Sequence, residues 1–103
     1  MPERFDRVQV KVTGELVEIT WDERDRLLRR LLTVAGSGTI IDKFDEAVGA
    51  TRPVELDAAE RAHMRVTLEL WGVSVLPDGL AHLLIALVRA DPGGQVGTGF
   101  MDR

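Results

Sequence analysis

The chain has 103 residues, of which 45% are hydrophobic and 29% charged, with a formal net charge of −4 and no cysteine. That length suits one domain with a core of its own, and the missing cysteine excludes disulfides, thiol catalysis and thiolate metal sites. An acidic balance is also the opposite of the basic field that nucleic-acid binders present.

The charge is unevenly spread. Residues 1–36 carry seven basic and seven acidic side chains, whereas 37–103 carry six and ten and hold the whole net charge. Arginine outnumbers lysine eleven to two, a bias read here as the codon usage of a GC-rich bacterial or phage genome. The opening residues MPERFDRVQVKV place charges where a signal peptide needs an apolar run. The longest apolar stretch, Leu83 to Val88, falls far short of the roughly 20 residues that span a bilayer. The expectation is a cytoplasmic protein without a membrane segment.

In chain order, RVQVKVTGELVEITW reads as a β-hairpin turning at Thr13-Gly14. Pairing Val12 with Glu15 puts Val8, Val10, Val12, Val17, Ile19 and Trp21 on one face and Gln9, Lys11 and Glu18 on the other. A slip of one residue would scatter the apolar set, so the pattern selects a two-residue loop, with a glycine bulge and a longer loop as the alternative because Thr is not the ideal first turn residue. Thr20-Trp-Asp-Glu23 then has capping-box spacing, with Asp22 as the alternative cap, and opens a helix over about 22–34. Leu27, Leu28, Leu31, Leu32 and Val34 are expected inward, with Asp22, Arg26, Arg29 and Arg30 opposite. Asp22–Arg26 and Asp25–Arg29 are acid-before-base pairs four residues apart.

A second helix is predicted over about 40–48, with Ile40, Ile41, Phe44, Ala47 and Val48 inward. Ser37 or Thr39 offers its cap and Gly49 its C-terminal stop. Arg52 precedes a proline and must be extended, which suits a short third edge strand near 52–56. The third helix, about 58–71, opens at Asp57-Ala-Ala-Glu60 and stops at Gly72. It carries two apolar stripes, one of Ala59, Ala62, Val66 and Leu70, the other of Met64, Leu68 and Trp71. Between them runs a charged line of Arg61, Arg65 and Glu69. Two apolar sides predict the central helix, packed between two layers. The fourth helix, about 80–90, has Leu80, Leu83, Leu84, Leu87 and Val88 as its main stripe. Ile85 points away from that stripe, and His82 and Arg89 mark one polar line. The reading is a single α+β domain over 1–92, an N-terminal hairpin packed on four helices, with a flexible tail at 93–103.

Candidate chemistry is sparse. Glu60-Arg-Ala-His63 has the Glu-x-x-His spacing of di-iron bundles, but those need two such motifs and two further glutamates. His63 and His82 are the available imidazole bases, and neither they nor Ser37 and Ser74 belong to a nucleophile motif. Gly36-Ser-Gly38 lacks the lysine and spacing of a phosphate loop. Asp42, Asp45 and Glu46 lack a calcium-loop pattern. The run IIDKFDEAVGATRPVELDAAERA compares with a helix-turn-helix, but Glu55, Asp57 and Glu60 would repel phosphates at the would-be recognition segment. No enzyme, cofactor or metal site is expected.

The reading that remains is a non-catalytic protein–protein interaction or regulatory module of the small bacterial or phage accessory or inhibitor type. Its partner is expected to be a protein, with a second copy of itself, as a homodimer, one candidate and a self-contained monomer the alternative to self-association. The candidate interface is Met64, Leu68, Trp71, Leu80, Leu83, Ile85 and Leu87, and the candidate polar surface is His82, Arg89, Arg26, Arg29 and Arg30. Two other classes stand beside it. One is a small nucleic-acid-associated transcriptional regulator using Arg24, Arg26, Arg29 and Arg30; the other is a small enzyme or ligand-binding domain with a histidine in a pocket.

Overall fold

A computed structural model describes residues 7–50 and 52–91. The tail expected at 93–103, and the side chain of Val48 expected inward, lie outside the described residues. The order is β1 Arg7–Val12, β2 Glu15–Thr20, α1 Trp21–Leu31, α2 Gly38–Ala50, β3 Val54–Glu55, α3 Ala58–Trp71, a 3₁₀ turn at Val73–Val75, and α4 Asp78–Ala90.

β1 and β2 pair in the register the alternation demands, with Val12 opposite Glu15, Val10 opposite Val17 and Val8 opposite Ile19. The short third strand exists: β3 joins β1 in parallel, so the sheet runs β2-β1-β3 and β2 is an edge. Val8, Val10, Val12, Val17, Ile19 and Val54 are buried on the inner face, while Gln9, Lys11, Leu16, Glu18 and Glu55 are exposed on the other. Helices therefore cover one side of the sheet. α4 lies against β2 and β1 on one side and against α3 on the other. The core joins these strands to Leu27 and Leu31 of α1, Ile40 and Phe44 of α2, Met64 and Leu68 of α3, and Leu80, Leu83 and Leu87 of α4.

Local chemistry sets the helix starts. Thr20 and Glu23 form a reciprocal capping box, and Asp57 and Glu60 form another at α3. Because Thr20 is a cap, the pleat ends there. Trp21 is already helical and 40% exposed, not on the inner face of the hairpin, and its ring carries the Arg24 guanidinium at 4.4 Å. α1 also stops earlier than the apolar pattern suggests. The N–H groups of Thr33 and Val34 bond three residues back, and the Thr33 hydroxyl takes the Arg30 carbonyl. Leu32, expected inward, is left 71% exposed.

α2 runs through Gly49, the expected stop, to Ala50. Its closing bond comes from the Arg52 N–H to the Ala47 carbonyl, since Arg52 cannot stay helical before Pro53. α3 ends at Gly72 as expected, with φ at +122°. The larger departure concerns which sides of α3 are covered. Met64 and Leu68 are fully buried, but Ala59, Ala62, Val66 and Leu70 face water, Leu70 at 79%. Among the described residues the helix is packed on one side only, because α4 and the sheet already close the core and no second layer of described residues lies beyond α3. The charged line between the stripes has a structural role instead. Arg61 Nε donates to Asp91 Oδ2 at 2.9 Å and Arg65 donates to the Asp91 carbonyl, which ties the end of α4 to α3.

Candidate functional site

The chain's few chemically suggestive groups resolve into structural roles. Ser37 Oγ lies 2.8 Å from His63 Nε2, the separation of a nucleophile and its base. The same hydroxyl lies 2.8 Å from the Val34 carbonyl, which can only accept. Its one proton goes there, so Nε2–H of His63 must donate to Ser37, the reverse of what general-base activation needs. Ser37 is also buried at 3% exposure. Glu60, the other half of the Glu-x-x-His motif, is buried against Lys43 Nζ and closes the α3 capping box. Burial alone would raise its pKa, but hydrogen bonds from Lys43, the Asp57 N–H and Thr39 outweigh that and hold the carboxyl below its ordinary 4.5. Among the described residues no three His, Asp or Glu side chains converge on a metal position.

The arginines of α1 are engaged one by one. Arg24, counted above among the candidate phosphate contacts, is buried at 9% and bonds Asp45 at 3.3 Å; its Nε is buried without a partner. Arg26 pairs with Asp22 and Arg29 with Asp25. Arg30 lies over the Trp71 ring at 4.8 Å. Asp45 and Glu46 meet Arg24 and Arg52.

The expected interface residues divide sharply. Met64, Leu68, Leu80, Leu83 and Leu87 are between 0% and 1% exposed within the single chain, where other parts of the same core cover them. Trp71 is half-buried under Arg30. Ile85 alone stands out, at 48% exposure. It lies on the same outward line as His82 and Arg89, both exposed, as are Arg26, Arg29 and Arg30.

That line of α4 forms one wall of a groove along β2, with a volume of about 610 Å³. The other wall includes Leu16, 51% exposed, together with Glu15 and Glu18. In this hairpin Glu15, Val17 and Ile19 exchange main-chain bonds with β1, so the N–H and C=O groups of Leu16 and Glu18 point to the free edge. Charges flank the opening in compensated pairs, Arg89 with Glu15 at 3.4 Å and Arg7 with Glu18 at 3.9 Å. The sequence marked Ile85 and its line but missed Leu16 and the strand edge beside them. For Leu16 the signal was present, since it breaks the polar alternation of the outer face; for the edge there was none.

What the geometry defines is an α+β domain with an open strand edge beside a half-exposed helix face. Compared with known proteins, the chain matches no family model, no curated protein and no solved structure. Among the described residues, no helix is long and apolar enough to cross a membrane.

Proposed function

We propose that this protein is a non-catalytic interaction module that takes an extended segment of a protein partner along the β2 edge and also pairs with itself as a homodimer. The observation that carries the reading is the exposure of Ile85 on the outward line of α4, where it lines, together with Leu16, a groove along the β2 edge. A strand added to β2 would satisfy the main-chain groups of Leu16 and Glu18, and its alternate side chains would reach Ile85. The paired charges at Glu15 and Glu18 guard the edge against indiscriminate pairing.

The nucleic-acid reading is less well supported. Three of the four α1 arginines are held by acids and the fourth lies on Trp71. The ligand reading keeps one observation, because His82 lines the groove. There, however, Arg7 and Arg89 are already paired.

A displayed library of random peptides, selected against the folded chain and against its Ile85→Asp variant, tests the proposal. Peptides enriched by the parent and lost on the variant, with the amides of Leu16 and Glu18 gaining exchange protection on binding, are the expected result. No enrichment, or peptides indifferent to Ile85→Asp, would remove the groove from consideration.

A further inference from the structure

A second surface, distinct from the groove, lies on α3. At 100° per residue Ala59, Ala62, Val66 and Leu70 fall within an arc of about 80°, all four exposed. No charged side chain enters that arc. Val66 is 51% exposed and Leu70 79%, in a position where a solvent-facing helix ordinarily carries charge. Arg65 and Glu69 border the arc on one side, half-exposed and bonded to each other at 3.2 Å.

We infer that this face is the seam of a homodimer, with a second copy of the chain lying antiparallel across a two-fold axis beside Val66. Size and charge favour a copy of the same chain over any other occupant. Centring the pair on Val66 brings Leu70 of each copy over Ala62 of the other, a large side chain opposite a small one. A parallel pairing would set Leu70 against Leu70 and leave a gap between the alanines. In an antiparallel pair each flank meets its own equivalent, so Glu69 of one copy comes level with the stretch between Arg61 and Arg65 of the other. Arg61 is neutralised by Asp91 within its own chain, which leaves Arg65 and Glu69 as a self-complementary pair. The seam is isologous and closes on itself.

This rests on the self-association part of the reading above and is independent of the groove. Sedimentation equilibrium of the full chain over about 1 to 500 µM should show a monomer–dimer equilibrium. Val66→Glu should raise the dimer dissociation constant at least about tenfold by setting two carboxylates together on the axis, while Ile85→Asp leaves it unchanged. Glu69→Arg should weaken the dimer, and adding Arg65→Glu should restore it. Because the chain has no cysteine, Val66→Cys should link two copies on mild oxidation, whereas Leu32→Cys, exposed elsewhere, should not. A monomer at every concentration overturns the inference. A dimer indifferent to Val66→Glu, and unlinked through Val66→Cys, overturns the seam but leaves self-association standing. Dimerisation that appears only after removal of residues 92–103 would assign the stripe to the chain's own C-terminal segment, and also overturns it.

Discussion

Two residues show how far single positions constrain this chain. Thr13 sits at φ +52°, the left-handed region that a β-branched side chain disfavours, because the two-residue turn requires it. Its hydroxyl bonds the Val12 carbonyl at 2.6 Å, which offsets only part of the strain. Because Gly14 does not share the positive φ, the turn is of the kind that takes glycine at its first central position, and Thr13→Gly should stabilise the protein by about 1 kcal/mol, measured by urea unfolding. Gly79 is constrained by space instead. A Cβ there would lie within 3 Å of the Glu23 carboxylate, which accepts the Thr20 N–H at 2.8 Å and the Gly79 N–H at 2.9 Å. One carboxylate thus caps α1 and α4 together. Gly79→Ala would push it off both, and a loss of about 1–2 kcal/mol is expected despite alanine's better helix propensity.

At the scale of elements, α4 takes the central place that the two apolar stripes predicted for α3. The nearly all-apolar α4 is the inner helix, with Leu80, Leu83, Leu84, Ala86 and Leu87 buried between β2 and α3. The two-striped α3 is the outer one. Val88, placed on the main stripe of α4 by its spacing, is 37% exposed. The same packing leaves Ile85 half in water, so Ile85→Asp should cost less than about 1 kcal/mol. Leu84→Asp, one residue earlier and 7% exposed, should cost several times more. Thermal melts of the two variants separate a residue kept for contact from one kept for folding.

For the whole molecule, a part of the acid dependence of stability follows from Glu60, the one buried carboxylate among the described residues. Glu60 titrates below its ordinary 4.5 in the folded chain, so the unfolded chain binds its proton first as pH falls. Its stabilisation is fully present above that ordinary value and is lost as pH drops through the lower folded value. Glu60→Gln should destabilise by about 1–2 kcal/mol at neutral pH. The deficit should shrink as pH falls below 4.5, as measured by denaturant unfolding at neutral and at acid pH. A deficit unchanged by pH would mean that the contribution of Glu60 is not its charge.

Much of the fold was legible in the residues, because its determinants are local. Alternation fixed the hairpin register, since only one pairing keeps Val8, Val10, Val12, Val17 and Ile19 together. Thr20, Asp57 and Gly72 set helix ends through bonds and backbone angles that involve near neighbours alone. The functional surface was legible only in part. Spacing showed that Ile85 leaves the main stripe of α4, and that Ala59, Ala62, Val66 and Leu70 form a stripe of their own. It could not say which apolar face the chain itself would cover. That depends on where the sheet and α4 lie relative to α3, and on a β2 edge that no local pattern announces. Periodicity records that a face is apolar; only tertiary packing decides whether the same chain buries it or leaves it for another.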